Sequence, residues 1–411
     1  MRNWGGNVDY RAADVSVPSS LEQLSSIVAS CVGISSVASR HSFNRIGDGE
    51  VLVDLRDIPQ SIEFDESAGT VSSPASTTFA ELSGALDTRG RALHNLASLP
   101  HISIGGAIST ATHGSGSTSP CLASAVRELD LLTATGEVRS FRRGDDDFLG
   151  TVVALGSLGL VTRVVLQTEP TYEVSQTVHD GLAWTTLVES FDDVFASASS
   201  VSVFTRWGDV AGELWRKQRS DDRPPSRTDI EQSLVPADAM RHPIPGNPPD
   251  ACTRQLGERG PWWNRLPHFR ADAVPSAGSE IQSECFVERT ASAAAIEAIR
   301  SIGPELDDVL LVSEIRTVAA DDFWMSPFHE RDSTGLHFTW KLDPAAVQAA
   351  VDRVALVLAP FDVRWHVGKA IPTGWRLERP GLGDFLDLKH RLDPTGRFTT
   401  DWFRSNVERS V

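Results

Sequence analysis

A run dense in glycine, serine and threonine at residues 98–116 constrains the fold of this chain more than any other feature. It reads SLPHISIGGAISTATHGSG, and a separate SRHSFN motif lies at residues 39–44. Because glycine has no Cβ, main-chain N–H groups in such a run can approach a pyrophosphate closely, and neighbouring hydroxyls can donate to the same oxygens. The pattern predicts a phosphate-bearing cofactor held largely by backbone, and a flavin dinucleotide fits this description.

Other cofactor and nucleophile motifs are absent from the sequence. No GxGxxG joins a predicted strand to a helix, no GxxxxGK[ST] occurs, and the GSLG at residues 156–159 lacks the spacing of a GxSxG elbow. His94, His101 and His113 match no compact zinc pattern and have no acidic companions. We therefore expect neither a nicotinamide or nucleotide triphosphate fold, nor a serine hydrolase, nor a metal site.

Length and charge favour two domains that act on a small molecule. A chain of 411 residues exceeds the size at which a single core stops growing. Its formal charge of −17 is spread along the sequence, which argues against nucleic-acid and anionic-membrane partners. There is no apolar segment of signal-peptide or membrane-spanning type, and the four cysteines are widely spaced. We expect a soluble, cytoplasmic monomer with free thiols.

Hydrophobic periodicity predicts an α+β fold. Strand patterns at residues 15–17 and 33–37 flank a helix that begins after Ser20, and residues 126–169 read as a hairpin and a buried strand. Further strands are expected at 200–207, 280–287, 309–318 and 336–342, with helices at 291–300 and after Asp343, and with long loops over 220–277. We predict a cofactor domain at 1–171, completed by 376–411, and a cap domain at 172–375 with a mostly antiparallel sheet covered by helices.

Polar residues two apart on three predicted strands point to a common surface. Such residues share one face of a strand, and the pairs are Glu314 with Arg316, His337 with Thr339, and Gln282 with Glu284. Together with Lys369 they would form a polar wall suited to a polyhydroxylated ligand, since each hydroxyl both donates and accepts. Taken singly, such pairs more often form a solvated strand face, and a loop histidine such as His41 is more often a bystander.

Ordered motifs along almost the whole chain carry a family resemblance. They are NWGGN at 3–7, RHSFN at 40–44, NLASLPHIS at 95–103, THGSG at 112–116, HPIPG at 242–246, GPWWNRLPHFRA at 260–271, EIRTVAAD at 314–321, HFTW at 337–340 and GK at 368–369. With these motifs the chain resembles the vanillyl-alcohol oxidase superfamily of flavoproteins, and within it the alditol oxidases. The resemblance implies a two-domain fold, an FAD-binding domain and a substrate-binding cap.

The resemblance also implies the cofactor contacts. His41 falls on the histidine that carries FAD covalently through the flavin 8α-methyl, whereas the family's second attachment cysteine has no counterpart here. The implied FAD-binding residues are Val37, Ala38, Ser39, Arg40, His41, Ser42, Ser98, Ser103, Gly106, Thr110, Ala111, Thr112, His113 and Val161. Where many relatives have GxGHS, this chain has Ala38, Ser39, Arg40 and His41, which places a cation in the pyrophosphate loop.

The same resemblance implies a reaction. Family polyol contacts fall on Ser98, Glu314, Arg316, Thr339 and Lys369, with Gln282 and His337 lining the pocket. Our hypothesis is hydride transfer from C1 of a terminal alcohol to flavin N5, which yields an aldehyde, followed by reduction of O2 to H2O2.

The sequence leaves open which residue accepts the proton, and it allows two alternative functions. Arg316 and Lys369 would stabilise the developing alkoxide, Glu314 would orient Arg316, and either His337 or Lys369 would accept the proton. One alternative is an aldonolactone oxidoreductase that uses an electron acceptor other than oxygen. Another is a flavin-free carbohydrate-binding relative.

Overall fold

A computed structural model describes residues 1–12, 14–222, 234–274 and 279–408. Its strands, in chain order, are β1 (Val15–Ser16), β2 (Ile34–Ser36), β3 (Val51–Val53), β4 (Glu63–Asp65), β5 (Thr70–Pro74), β6 (Arg91–Ala92), β7 (Val126–Leu132), β8 (Val138–Arg142), β9 (Leu160–Gln167), β10 (Glu169–Pro170), β11 (Glu173–Leu182), β12 (Ser200–Thr205), β13 (Gly212–Arg219), β14 (Val235–Pro236), β15 (Arg259–Pro261), β16 (Ile281–Glu288), β17 (Leu310–Val318), β18 (Ser333–Trp340) and β19 (Arg364–Trp365). The α-helices are α1 (Leu21–Ser30), α2 (Phe79–Asp87), α3 (Ile104–Ser109), α4 (Phe148–Val152), α5 (Trp184–Glu189), α6 (Phe191–Phe195), α7 (Ser292–Arg300), α8 (Gly303–Leu306), α9 (Pro344–Leu358), α10 (Leu382–Leu392) and α11 (Asp401–Asn406).

Capping residues in the sequence define where several helices begin. The Ser20 hydroxyl accepts a hydrogen bond from Gln23 N at the start of α1, and Thr78 forms a full capping box with Glu81 at the start of α2. The Asp343 carboxylate accepts from Ala346 N, and Pro344 occupies the first position of α9. The predicted helix after Asp343 is therefore confirmed, with its buried stripe on one face.

The strands up to residue 170 form three small sheets. A parallel sheet has the order β1-β3-β2, an antiparallel sheet has the order β4-β5-β9-β7-β8, and β6 pairs with β10. The predicted hairpin is β7 and β8, and the predicted buried strand is β9, which pairs with both β5 and β7. These sheets carry the glycine-rich run and the His41 loop on their connections.

The strands from residue 173 onward form one large antiparallel sheet. Its order is β14-β11-β13-β12-β17-β18-β16-β19, and β15 pairs with β11 at the edge. Ile315, Leu336 and Phe338 belong to a buried cluster with Ile296 of α7 and Val351 of α9, so helices cover one face of this sheet. The α+β class and the helix-covered antiparallel sheet are confirmed, whereas the exact domain boundaries stay predictions.

Two further segments bear on the sequence predictions. Among the described residues, the predicted loops over 220–277 contain the short strands β14 and β15 and two single-turn 3-10 helices, at Pro249–Ala251 and Trp262–Asn264. The parts at 223–233 and 275–277 lie outside the described residues. Residues 344–361 are long and apolar enough to cross a membrane by length and composition alone. Since Val347, Val351, Val354 and Leu358 are buried in the core under this helix, that property is weak evidence for a membrane span.

Candidate active site

One cleft collects nearly all of the predicted site residues. It lies between the loops of the first sheets and the uncovered face of the large sheet. Its lining includes the predicted cofactor residues from Val37 to Ser42, Ser98, Ser103, Gly106, Thr110, Thr112, His113 and Val161, and the predicted substrate residues Gln282, Glu314, Arg316, His337, Thr339 and Lys369. Ala111 is the exception among them, because it is fully buried and does not line the cleft.

The loop that carries His41 is held by the amino-terminal NWGGN motif. Asn3 Nδ2 donates to Ser42 O at 2.9 Å, Asn7 Nδ2 donates to Phe43 O at 2.9 Å, and Trp4 N donates to Arg40 O at 2.9 Å. The Trp4 ring also stacks on His41, with 5.1 Å between centroids and 20° between planes. The motif therefore fixes both the backbone and the ring orientation of this loop.

The two ring nitrogens of His41 are buried without a good partner. Neither ring nitrogen makes a hydrogen bond of normal geometry to a described residue, although the Ser39 backbone lies close enough to affect its ionisation. Burial, His101 and Arg40 lower the pKa of His41 to about 4. The ring is therefore neutral near pH 7, and a nitrogen lone pair is available for a bond to a ligand.

The glycine-rich run serves packing as well as the cleft. A Cβ on Gly114 would lie 2.4 Å from Leu96 O, so protein contacts alone require glycine there, and a Cβ on Gly105 would lie 3.0 Å from the Ala75 Cβ, which is a tight contact. Gly106 lines the cleft, and a Cβ there would meet only the Ser103 hydroxyl, at 3.0 Å. Ser103 N in turn donates to Ser39 Oγ at 3.2 Å, which ties this run to the His41 loop. Gly106 therefore lies on the cleft, whereas Gly114 packs against the protein's own chain.

Strand register brings the predicted polar wall together. Glu284 pairs with His337 across β16 and β18, and His337 pairs with Glu314 across β18 and β17. Gln282 lies opposite Thr339, and Arg316 lies opposite Gly335. These side chains share the face that the helices leave uncovered, as the spacing of two predicts.

Arg316 lies between two buried carboxylates. Its Nη2 and Nε donate to Glu284 Oε1 at 2.7 and 3.0 Å, and its Nη1 lies 3.6 Å from Glu314 Oε2. Lys369 Nζ donates to the other oxygen of Glu284 at 2.8 Å. Burial opposes ionisation of both acids and is the largest single effect on each. Arg316 acts together with Lys369 and His113 at Glu284, and with His268 and His337 at Glu314, and these groups together bring the pKa of both acids well below the usual range. The wall is thus a charged network that is already paired.

The proton positions on His337 follow from a chain of hydrogen bonds. Gln282 Nε2 donates to Glu280 Oε1 at 2.6 Å, so Gln282 presents its amide oxygen to His337 Nε2, 3.1 Å away. Nε2 must therefore carry the hydrogen, and Nδ1 keeps the lone pair. Burial and Lys369 lower the pKa of His337 well below its usual value, so the ring is neutral.

A direct backbone link joins the two sides of the cleft. Asn44 Nδ2 donates to Val367 O at 2.8 Å and to Lys369 O at 2.6 Å, and Phe43 N donates to Gly368 O at 2.8 Å. The loop that positions His41 therefore also positions Lys369. The His41 loop and the cationic end of the wall thus share one anchor.

Several members of the site were not predicted as site residues. Glu284 pairs with both cations of the wall, yet sequence reasoning noted only that it shares a face with Gln282. Ser202 Oγ donates to Glu314 Oε1 at 2.7 Å, and His268 Nε2 lies 3.3 Å from the same oxygen. The IQSEC alternation could have indicated Glu284, whereas His268 lies in an irregular segment with no pattern of this kind.

Comparison with known proteins agrees with this geometry. Residues 12–142 match the family model described as an FAD binding domain. Alditol oxidase of Streptomyces sp. is 41% identical over 414 residues, which cover 99% of this chain and 98% of that protein. L-gulono-1,4-lactone dehydrogenase of Mycobacterium tuberculosis is 33% identical over 434 residues, which cover 98% of this chain and 97% of that protein.

Solved structures share the fold at low sequence identity. A carbohydrate oxidase from Microdochium nivale superposes with a TM-score of 0.77 at 14% identity, over 98% of this chain and 93% of that one. A cholesterol oxidase from B. sterolicum superposes with a TM-score of 0.76 at 11% identity, over 99% of this chain and 96% of that one. At these identities the likeness establishes the architecture and leaves the substrate to the site itself.

Proposed function

This chain belongs to the vanillyl-alcohol oxidase superfamily of FAD-dependent oxidoreductases, and on that premise we propose that it oxidises acyclic polyols such as xylitol and sorbitol. The terminal C1 hydroxyl becomes an aldehyde, and O2 is reduced to H2O2. The observation that carries this proposal is the paired network of Arg316, Lys369 and two carboxylates, which faces the same cleft as His41.

The wall suits a row of hydroxyl groups. Glu314 offers carboxylate oxygens as acceptors, Arg316 and Lys369 offer N–H donors, and Thr339 can do both. Each hydroxyl of a polyol can therefore donate to one neighbour and accept from the next. Because the ionic groups are held by one another in a buried face, they need little rearrangement when the ligand binds.

The residues around His41 fit a flavin attached by one covalent bond. A neutral imidazole with two buried, poorly partnered nitrogens has the electronic state that such a bond requires. Among the cysteines, Cys121 is the nearest in sequence to the glycine-rich run, but its thiol donates to Asp321 Oδ2 at 3.2 Å and burial raises its pKa. A second bond through that thiol is therefore disfavoured.

The chemistry divides between cofactor and protein. When bound, the flavin supplies the acceptor for the hydride and passes the electrons to O2. Arg316 and Lys369 stabilise the negative charge that grows on the C1 oxygen as its proton leaves. Glu314 binds hydroxyls and holds Arg316 in place.

Two groups can accept the proton. His337 can do so only at Nδ1, because its Nε2 donates to Gln282. Lys369 can do so only as the free amine, and burial lowers its pKa in that direction.

The proposal is tested by oxygen consumption and H2O2 formation with purified protein. Xylitol and sorbitol should support both, and the acid-precipitated pellet should keep its flavin absorbance. A colourless protein, or one with no oxygen uptake on any alditol, would reject the proposal.

The lactone alternative has support of its own. The full-length similarity to L-gulono-1,4-lactone dehydrogenase motivates an assay with that lactone and an artificial electron acceptor under anaerobic conditions. Turnover there, with no turnover on xylitol in air, would favour the alternative. The flavin-free alternative is disfavoured by the match to the FAD binding domain.

A further inference from the structure

A buried lysine and histidine lie directly behind Glu314. Lys217 Nζ of β13 lies 3.2 Å from His268 Nδ1 and also donates to Leu266 O. His268 Nε2 lies 3.3 Å from Glu314 Oε1, which also accepts from Ser202. A continuous line of contacts therefore runs from Lys217 through an imidazole to a carboxylate of the polar wall.

The chemistry of the donors fixes the direction of this line. Lys217 donates to His268 Nδ1, so the neutral ring carries its hydrogen on Nε2 and donates it to Glu314. With Oε1 occupied by Ser202 and His268, Oε2 remains as the oxygen that faces Arg316. Two aromatic rings hold the imidazole edge-on: Phe204 at 5.2 Å and Trp215 at 5.6 Å between centroids.

The lysine is in an environment that is costly for an ammonium group. Lys217 is 3% exposed, and no carboxylate of the described residues lies within ion-pair distance of its Nζ. The titratable and charged groups that act on it are Glu314, Cys252, Arg316 and His268. Burial lowers the pKa of Lys217 to about 7, and it lowers the pKa of His268 to about 4.

Resting on the proposed polyol oxidation, we propose that Lys217 and His268 are positioning residues: Lys217 holds the His268 ring at Nδ1 and keeps it singly protonated, and the Nε2–H of His268 orients Glu314 toward Arg316 and the substrate hydroxyls. Neither residue needs to touch the polyol. Their effect should reach the reaction through the position and charge of Glu314.

The first test reads the tautomer directly by ¹⁵N NMR of histidine-labelled holoenzyme, with His268→Asn used for assignment. In the wild type, His268 should show a protonated Nε2 and an unprotonated Nδ1 from pH 5.5 to 8. Lys217→Met removes the donor and the nearby charge, so the Nδ1 shift should change, the pKa of His268 should rise, and the doubly protonated ring should appear at the acid end of this range, while Nε2 keeps its hydrogen on Glu314. Unchanged shifts in this variant would overturn the proposal without reference to any substrate.

The second test compares Lys217→Met with Lys217→Gln on xylitol. Lys217→Met should lower kcat/KM by roughly 10- to 100-fold, as is typical when a residue that positions a binding group is lost. Lys217→Gln keeps an N–H donor but lacks the charge, so it should recover part of that loss. The loss should appear mainly in KM. In the wild type, a plot of KM against pH should show an inflection near pH 7, with KM higher above that pH. Lys217→Met should abolish this inflection.

A stability measurement tests the buried state of Lys217 without any substrate. Lowering a lysine pKa from 10.5 to about 7 means that the unfolded chain binds more protons than the folded chain between these values, so folding stability rises with pH in that window. The Tm of the wild type relative to Lys217→Met should therefore increase from pH 7 to pH 9.5.

The matched control is another buried lysine, Lys389 of α10, which pairs with Asp393 just after that helix. Lys389→Met should lower Tm at both pH values and leave the KM profile and the His268 signals unchanged. If the wild type turned over no polyol, the proposed function would be wrong, but the NMR test of the contact between Lys217 and His268 would still be valid because it needs no substrate. A normal KM profile in an active Lys217→Met enzyme would overturn the positioning role alone.

Discussion

The two sides of the cleft satisfy their polar groups in opposite ways. On the side of the His41 loop, two ring nitrogens are buried and neither is well partnered, and no carboxylate pairs with them among the described residues. On the side of the large sheet, Arg316, Lys369, Glu284 and Glu314 are buried too, but each charge has an opposite charge within 3.6 Å. One side is built to be completed by a bound group, and the other is preorganised by its own residues.

This difference predicts which substitutions should lower stability together with activity and which should lower activity alone. A charge removed from the paired side leaves its partners buried and uncompensated, which costs far more than the pair contributes. A histidine removed from the other side breaks no hydrogen bond of normal geometry. Stability and activity should therefore change together on one side and separately on the other.

The largest effect is expected from Arg316→Ala. Loss of the guanidinium leaves Glu284 and Glu314 without their shared cation, so the free energy of unfolding should fall by about 3–5 kcal/mol. Turnover of xylitol should fall by at least about 10³-fold, because a donor to the developing charge is lost. Urea denaturation and steady-state kinetics measure the two effects.

The control for this variant is Arg206→Ala, which removes an exposed guanidinium paired with exposed Asp307. It should change stability by less than about 1 kcal/mol. If Arg316→Ala were as stable as the wild type, the two carboxylates would not depend on the cation. That result would contradict the expectation that stability and activity change together on the paired side of the cleft.

The next effect is expected from His41→Ala, on the unpaired side. Acid precipitation should then release all of the flavin, because the attaching nitrogen is gone, whereas the apoprotein should keep its stability to within about 1 kcal/mol. Absorbance of the washed pellet and a denaturant titration of the apoprotein check both parts.

His101→Ala is the matched variant, since His101 is the histidine whose charge acts on His41. It should retain flavin in the pellet. Flavin that stays bound to His41→Ala after acid treatment would disprove the attachment site.

A third effect tests how tightly the paired side is packed. Gly335 lies opposite Arg316, and a Cβ there would lie 3.3 Å from Glu284 Oε1 and 3.5 Å from Arg316 Cγ. Valine at this position should push the ion pair apart and lower kcat/KM by about 10- to 100-fold, with flavin retained.

Gly383→Ala is the comparison here, because a Cβ on Gly383 meets nothing within 4 Å and the residue lies in α10. It should be neutral or stabilising by up to about 1 kcal/mol. Equal kinetics for Gly335→Val and wild type would mean that the wall tolerates rearrangement.

Gly335 also shows what the sequence could and could not predict. A spacing of two places Glu314 and Arg316 on one face without any structure, because strand geometry is local. That Arg316 bridges to Glu284 over a glycine depends on the register of β16, β18 and β17, which the spacing does not encode. His268 reaches Glu314 from an irregular segment between β15 and β16, so only the folded chain reveals it.

The smallest effect concerns Arg40, which has φ of +56° beside His41. A side chain in this left-handed region costs roughly 1 kcal/mol, and the family pattern has glycine at this position. Arg40→Gly relieves this strain and should raise the free energy of unfolding by up to about 1 kcal/mol. Little is lost in exchange, since the one hydrogen bond described for the guanidinium goes to Arg2 O at 3.3 Å near the surface. Arg40→Ala keeps the Cβ and should give no such gain. If Arg40→Ala stabilised the protein as much as Arg40→Gly, the gain would come from removing the charge and not from relieving backbone strain. The His41 loop would then differ from the paired side of the cleft by a charge that has no ion-pair partner among the described residues.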